Sequence, residues 1–195
     1  VQARGVPNYL GAPALSPDGL SAWVPSKQDN IHRGTLRDGR SLDFETTVRA
    51  VTSRIDLGTN AEDYPGRVDH DNSGIASAAI YHPNGAYLFV ALEASREVAV
   101  LDAAGKRELL RLAVGRAPQG LALSSDGNRL YVHNFMDRTV GVHDLTRLLQ
   151  FGERSAAAIG NWNSVGTERL NPTVLRGKQF FYDAADPRLA RDAYM

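Results

Sequence analysis

Short segments of alternating apolar and polar residues fill the middle of the chain, and glycine-containing turns separate them. SAAIYH and GLALSS alternate, NG or DG follows each, and the next segments, YLFVAL and RLYVHN, are rich in β-branched and aromatic residues. This pattern is typical of half-buried antiparallel strands joined by tight turns in which glycine supplies a positive φ. Because a turn interrupts every segment after a few residues, the pattern predicts an all-β fold rather than long helices.

The strand pattern repeats along the chain. The turns HPNG and SSDG end at Gly85 and Gly127, 42 residues apart, and an earlier turn, SPDG, ends at Gly19. In the middle unit, EVAVLDA and RELLRLAVG supply a third and a fourth strand. A period of about 40 residues with four short strands per unit is typical of the blades of a β-propeller.

We therefore predict four-stranded antiparallel propeller blades over residues 1–149, about three in number. Propellers close with about 4 to 8 blades, and an open array leaves strand edges exposed. The three blades are thus expected to be part of a larger propeller, completed by blades that precede Val1 or by further chains.

The first unit is longer than the others, because its turn glycine, Gly19, lies 66 residues before Gly85. We place an insertion at about residues 27–73. Within it, ETTVRAVTSRIDL predicts the third or fourth strand of the first blade, and polar segments around this strand predict long loops. Long loops on a rigid scaffold are where binding sites usually lie.

The segment DHDNSG places Asp69, Asp71 and Ser73 at alternate positions before Gly74. Oxygen-bearing side chains in this spacing, followed by glycine, open a calcium-binding loop. The glutamate that should complete such a loop is missing, because Ile80 occupies its position. Asp69, Asp71 and Ser73 are therefore incomplete calcium candidates, and a polar turn with side-chain-to-backbone hydrogen bonds is the favoured interpretation.

No catalytic constellation stands out elsewhere. The acids Glu62 and Asp63 fall in a loop, and no serine lies in a nucleophile elbow. The two tryptophans, Trp23 and Trp162, are expected in core or interblade packing. The five histidines lack metal-site spacing; they are His32, His70, His82, His133 and His143. Of these, His133 and His143 fall on neighbouring strands of one blade and could approach each other. We predict no catalytic or cofactor-binding residue.

Composition excludes several classes of partner and cofactor. The 195 residues include 22 basic and 22 acidic side chains, so the charge balance gives no support for a nucleic-acid partner. No apolar run reaches the roughly 18 residues of a membrane span. The absence of cysteine rules out disulfides, thiolate metal sites and covalently attached c-type haem within these residues.

The segment GRAPQGLALSSDGNRLYVHNFMDRTVGVHDL resembles the YVTN-type β-propeller repeat. YVHN, which ends at Asn134, stands where the family has its name-giving tetrapeptide, with His133 in place of threonine. The middle unit matches this repeat less tightly.

A different pattern begins after a predicted linker at residues 150–170. Asn171 is a good N-cap and Pro172 suits the first helical position, so a helix is predicted from Thr173 to about Tyr182. Its apolar residues Val174, Leu175 and Phe181 share one face, and a helix of this length needs a packing surface. Gly177 lies on the same helix and would allow a neighbour to approach closely.

The segment LNPTVLRGKQFFYDAADPRLARDAYM resembles the lead-in to the haem-binding part of di-haem cytochrome c peroxidase-like proteins, including their methylamine-utilisation relatives. In that family a helix with an RGKxxFYD-like core, here Arg176 to Asp183, precedes a C-x-x-C-H haem attachment site. The resemblance implies that residues 171–195 lead into a cytochrome-like domain, which would follow Met195.

This resemblance implies that the chain is the propeller portion of an exported, periplasmic or extracellular c-type haem protein with an electron-transfer or peroxidase-like activity. The propeller would serve as a scaffold or docking surface for a haem domain of the same polypeptide or of another chain. Two alternatives stay open. In the first, the helix docks on the propeller as a terminal cap. In the second, the chain is a non-catalytic extracytoplasmic binding module whose blade loops hold a protein partner.

Overall fold

Three antiparallel sheets follow one another along the chain, in the computed structural model that describes residues 6–29, 41 and 48–190. The strands of the first sheet are β1 (Val6–Asn8), β2 (Ala14–Leu15), β3 (Ser21–Asp29), β4 (Val48–Asp56), β5 (Ala61–Glu62) and β6 (Val68–His70). The short strands β1 and β2 pair with opposite ends of β3, and β5 and β6 pair with opposite ends of β4. The sheet is therefore four strands wide, and each of its two edges is formed by a pair of short strands.

The second and third sheets are regular meanders in which each strand pairs with the next along the chain. The second contains β7 (Ala76–Tyr81), β8 (Tyr87–Leu92), β9 (Glu97–Asp102) and β10 (Arg107–Ala113). The third contains β11 (Pro118–Leu123), β12 (Arg129–Asn134), β13 (Thr139–Asp144) and β14 (Ala157–Asn163), with the helix α1 (Thr146–Phe151) before its last strand. The predicted all-β fold of four-stranded antiparallel blades is confirmed, and we call the sheets blades 1, 2 and 3.

The blades pack face to face through two apolar layers. Between blades 1 and 2, the layer includes the fully buried side chains of Trp23, Leu88 and Leu101, and between blades 2 and 3 it includes those of Phe89 and Leu130. These residues alternate along their strands with residues of the opposite face, as the sequence pattern requires. The predicted core position of Trp23 is confirmed, and its indole Nε1–H also donates a 2.7 Å hydrogen bond across the blades to the hydroxyl of Tyr81.

The repeated turns are alike in detail. Gly19, Gly85 and Gly127 have φ values of 70°, 73° and 75°, in the left-handed region that favours glycine. In each turn the glycine N–H donates to the carbonyl oxygen three residues earlier, at distances of 2.9 Å. The prediction that these glycines supply the positive φ of the repeat is confirmed.

The predicted linker differs from the structure, and the strand predicted within the insertion does not. The predicted linker at residues 150–170 contains β14, which pairs with β13 from Asp144↔Ala157 to Thr139↔Asn163 and completes blade 3. All side chains of β14 are exposed, so this strand has no half-buried alternation that the sequence could show. Within the predicted insertion at residues 27–73, the strand predicted from ETTVRAVTSRIDL is confirmed as β4, which pairs with β3 over nine residues as the third strand of blade 1. Residues 30–40 and 42–47 of this insertion lie outside the described residues.

The predicted C-terminal helix is confirmed as α2 (Pro172–Phe181). Its N-cap, Asn171, accepts a 2.9 Å hydrogen bond from the N–H of Thr173, and Pro172 occupies the first helical position. In the part of the chain that the structure describes, no helix has the length and apolar character needed to cross a membrane.

Candidate functional site

One face of the blades carries the C-terminal segment. Three connections meet on this face: the β8–β9 turn, the β12–β13 turn and the link between β10 and β11. The backbone N–H of Ala184 donates a 2.8 Å hydrogen bond to the carbonyl oxygen of Ala94 in the β8–β9 turn. The side-chain amide of Gln179 donates a 3.0 Å hydrogen bond to the backbone carbonyl oxygen of Met136 in the β12–β13 turn. We call this surface the tail face, and residues 172–190 the tail.

Asp183 anchors the tail to blades 2 and 3. Its side chain is 1% exposed and accepts hydrogen bonds from both Arg96, at 2.6 Å from Nε, and Arg116, at 3.4 Å. Arg96 ends the β8–β9 turn in the left-handed conformation, with φ of 55°. Arg116 also binds Asp137, and although partial burial lowers the pKa of the Arg116 guanidinium, Asp137 and Asp183 together raise it.

The helix α2 itself packs only loosely. None of its residues is buried, and the exposed fractions of Val174 and Phe181 are 52% and 74%. A Cβ atom added at Gly177 would have no atom within 4 Å, so no described residue uses the close approach that this glycine allows. The tail docks as a cap through its last residues, while most of the predicted apolar face of α2 faces solvent.

A groove of about 790 Å³ lies between the tail and blades 1 and 2. The blades contribute Tyr9, Lys27, Ile75, Glu93 and Ala94, and the tail contributes Gly177, Phe180, Phe181, Tyr182 and Leu189. The groove is thus walled mainly by aromatic and aliphatic side chains, with two charged residues among them. Concave, mostly apolar sites with a few polar groups are the usual form of ligand sites in proteins.

Glu93 is the most deeply buried charged residue of this groove. Its exposed fraction is 4%, and it accepts one hydrogen bond, at 2.8 Å from the side-chain amide of Gln119. Burial raises the pKa of the Glu93 carboxyl, because desolvation disfavours the charged form more than this single neutral donor favours it. The described residues supply no cationic partner to this carboxyl.

The calcium candidates Asp69, Asp71 and Ser73 lie together at the outer edge of blade 1, but among arginines. Arg49 is 3.0 Å from a carboxylate oxygen of Asp69 and 3.4 Å from one of Asp71. Arg111 donates to the hydroxyl of Ser73 at 2.7 Å and to the carbonyl oxygen of Asp71 at 2.8 Å. Two guanidinium groups therefore hold the oxygens that the sequence motif would offer to calcium.

A buried polar network joins the outer strands of blades 1 and 2 beside these residues. His70 is 2% exposed, and its Nε2 and Nδ1 atoms lie 2.8 Å from the hydroxyl of Thr52 and 3.1 Å from a carboxylate oxygen of Glu108. Arg111 donates to the other oxygen of Glu108 at 2.7 Å. Burial alone would raise the pKa of Glu108, but the hydrogen bonds from His70 and Arg111 lower it to about 2. Because Thr52 is fully buried, the network fastens the blades and offers no nucleophile to a substrate.

The remaining residues singled out from the sequence do not form a site. In the pairing of β12 with β13, His133 is the register partner of Val140, and His143 is the register partner of Leu130. Register partners share a face, and residues 130 and 133 of β12 point to different faces, so the two histidines lie on different faces of blade 3. Glu62 binds Arg67, and Asp63 binds Arg54 and Lys106.

Two other residues from that analysis need separate comment. Trp162 is 58% exposed and lies against the ring of Tyr131, so in the described structure it is not in the core or between blades. His32 lies outside the described residues.

The residues of the tail face were not predicted from the sequence. Asp183 lies 87 residues from Arg96 and 67 from Arg116, and nothing in the local pattern links such distant positions. Glu93 left one trace, because it is an acid directly after the apolar run YLFVAL. An acidic side chain in that position lies either in a solvated turn or in a buried environment, and the structure shows that Glu93 is buried.

Comparisons with known proteins identify the fold but no family. No protein-family model matches this sequence, and no curated protein is significantly similar to it. Among solved structures, the hydrazine synthase of Kuenenia stuttgartiensis superposes with a TM-score of 0.56 at 22% identity, covering 89% of this chain and 43% of that one.

Two further structures give the same result. A provisionally assigned 6-phosphogluconolactonase from Bacteroides uniformis has a TM-score of 0.55 at 13% identity, covering 84% of this chain and 45% of that one. The WD40 repeats of RRP9 have a TM-score of 0.54 at 15% identity, covering 83% of this chain and 40% of that one. The chain has a propeller-type fold and spans less than half the length of these structures.

Proposed function

We propose that this chain is the propeller portion of an exported c-type haem protein, in which the blades hold the tail as the seat of a haem domain. The haem domain would belong to the same polypeptide or to another chain, and electron transfer or a peroxidase-like reaction would take place there. The blades contribute a scaffold and a docking surface to this reaction. No residue of the chain is assigned to haem binding or catalysis.

The observation that carries the proposal is the way the tail is held. Asp183, the last residue of the RGKxxFYD-like core, is buried between Arg96 and Arg116, whereas Phe181 is left 74% exposed. One end of the motif is thereby fixed to the blades, and its apolar residues remain available to another surface. An anchored helix with an exposed apolar face is suited to position a neighbouring domain, since isolated short helices need packing to be stable.

The proposal is tested on the protein expressed from its natural gene in a bacterium that attaches c-type haem. We expect a haem-stained band after denaturing electrophoresis, a Soret absorption band, and recovery of the protein in the periplasmic or secreted fraction. Haem-free protein from a host that matures a control cytochrome would overturn the haem role. Recovery only in the cytoplasm would overturn the exported location.

The groove favours a second candidate function, a non-catalytic extracytoplasmic binding propeller. A volume of about 790 Å³ with a buried carboxyl is not needed by a propeller that serves only as a scaffold. Haem-free protein that is exported and binds a ligand in this groove would favour the second function over the first.

A further inference from the structure

The groove beside the tail contains an acid that has no cationic partner among the described residues. Glu93 is 4% exposed, and within the described part of the chain its carboxyl accepts a hydrogen bond from a neutral amide, that of Gln119. Burying a carboxylate without a cationic partner is costly, and proteins usually pair such a group or place it where a ligand does so. Glu93 lies on the wall of an open groove, where a ligand can reach it.

Two basic residues near the groove already have acidic partners. Lys27, which also lines it, is 3.1 Å from Asp29. Arg96, on the same turn as Glu93, is held by Asp183. Lys27 and Arg96 are therefore ion-paired, whereas Glu93 has no cationic partner among the described residues that line the groove.

The tail side of the groove is aromatic. Phe180, Phe181 and Tyr182 line it, and the rings of Phe181 and Tyr182 meet edge to face at 5.3 Å between centroids. The face of an aromatic ring attracts cations. The ring of Phe180 is already engaged, because the guanidinium groups of Arg176 and Arg188 lie 5.3 Å and 5.2 Å from its centroid. The rings that the groove offers to a ligand cation are therefore those of Phe181 and Tyr182.

We propose that this groove binds a small organic cation, whose ammonium group pairs with Glu93 and whose apolar part lies against the aromatic side chains of the tail. The carboxyl supplies the counter-charge, the rings supply cation–π attraction, and the volume admits a ligand larger than a bare ammonium ion. A neutral ligand of the same shape would leave Glu93 without a counter-charge, so the site discriminates by charge.

This inference goes beyond the proposed function, since neither the haem domain nor export is needed for it. The test uses choline and its uncharged carbon analogue, in which a tert-butyl group replaces the trimethylammonium group. Choline has no nitrogen lone pair and cannot ligate haem iron, so its binding reports on the groove even in a haem-loaded protein. Isothermal titration of the protein expressed from its natural gene measures both ligands.

We expect choline to bind in the millimolar range or more tightly, and the uncharged analogue to bind about tenfold more weakly. The variant Glu93→Gln keeps the shape of the side chain and removes its charge, so it should reduce choline binding to the level of the analogue. Glu153→Gln, which removes an exposed acid after α1, is the matched control and should bind choline like the natural protein.

Equal binding of choline and the analogue by the natural protein would overturn the proposal, and this comparison needs no variant. No detectable choline binding at tens of millimolar, or unchanged binding in a folded Glu93→Gln variant, would also overturn it. The failure of this proposal leaves the haem test unaffected, because haem staining detects covalently attached haem, whereas the titration measures choline binding in the groove.

Discussion

The turn glycines show how single residues encode the repeat. Gly19, Gly85 and Gly127 share nearly the same positive φ, but their surroundings differ. A Cβ atom at Gly19 would have no atom within 4 Å, whereas one at Gly127 would lie 2.6 Å from the Nε2 atom of His82 on the neighbouring blade. The backbone role of these glycines is predictable from the local DG and NG patterns, and the interblade contact at Gly127 is not.

This difference allows a matched pair of substitutions. We expect Gly19→Ala to lower the free energy of unfolding by about 1 kcal/mol through left-handed strain alone. Gly127→Ala should lower it by at least about 2 kcal/mol, because the new methyl group also displaces His82. Urea unfolding of the two variants measures the difference, and equal losses would show that the His82 contact at Gly127 adapts without cost.

Glu108 makes the fastening of blades 1 and 2 dependent on pH. Its pKa in the folded protein is lowered from 4.5 to about 2, so its stabilising effect is fully present above pH 4.5 and is lost as the pH falls through 2. The effect at neutral pH amounts to at most about 3 kcal/mol. We therefore expect Glu108→Gln to be less stable than the natural protein at pH 7, and the difference to shrink between pH 4.5 and pH 2.

Denaturant unfolding at a series of pH values checks this expectation. Comparing the two proteins at each pH isolates Glu108 from the other carboxyl groups that titrate in the same range. Glu153→Gln reports the effect of removing an exposed acid under the same conditions. A difference between the natural protein and Glu108→Gln that stays constant over this range would contradict the role of the ionised carboxylate.

At the scale of secondary-structure elements, prediction followed burial. The strand β8 is buried on both faces and shows apolar enrichment, and β12 is buried on one face and shows alternation, so the pattern predicts both. The strand β14 is exposed along its whole length and falls within the predicted linker. The helix α2 was predicted from its N-cap and proline, which are local features. Its docking depends on contacts across 67 and 87 residues, and the local pattern does not encode them.

The Asp183 anchor predicts how tightly the tail is held. Asp183→Asn keeps the shape of the side chain but removes the charge that Arg96 and Arg116 bind, and hydrogen bonds to charged groups contribute about 1.5–3 kcal/mol. We expect proteolytic cleavage between β14 and α2, at residues 164–171, to be about tenfold to a hundredfold faster in this variant. Glu153→Gln should be cut at the natural rate, and an unchanged rate in Asp183→Asn would show that other contacts hold the tail.

At the scale of the whole molecule, the outer face of blade 3 and its edge strand β14 have no neighbouring sheet among the described residues. The outer face of blade 3 carries Tyr131 and Trp162, and in the described structure no strand pairs with the far side of β14, where Ile159 is 50% exposed. Exposed edge strands with apolar side chains favour pairing with other chains. The sequence predicted this exposure through the number of repeats, although not which strand forms the edge.

We expect the 195-residue chain produced alone to self-associate through this edge. Ile159→Lys introduces a charge that disfavours strand pairing and should raise the concentration at which larger species form by about threefold to tenfold. Leu20→Lys, at a turn position that is 65% exposed, is the control. Size-exclusion chromatography with light scattering measures both, and equal effects would point to general hydrophobic association instead of edge pairing.

The groove beside the tail joins parts of the chain that a ribosome makes far apart in time. Tyr9 lies near the first strand, Glu93 in the middle and Leu189 in the last described stretch, and all three line the same space. The blades are built from hairpins between neighbouring segments and can form during synthesis, but the groove exists only after the tail has been made and has docked. Ligand binding there would therefore distinguish finished molecules from nascent or truncated ones.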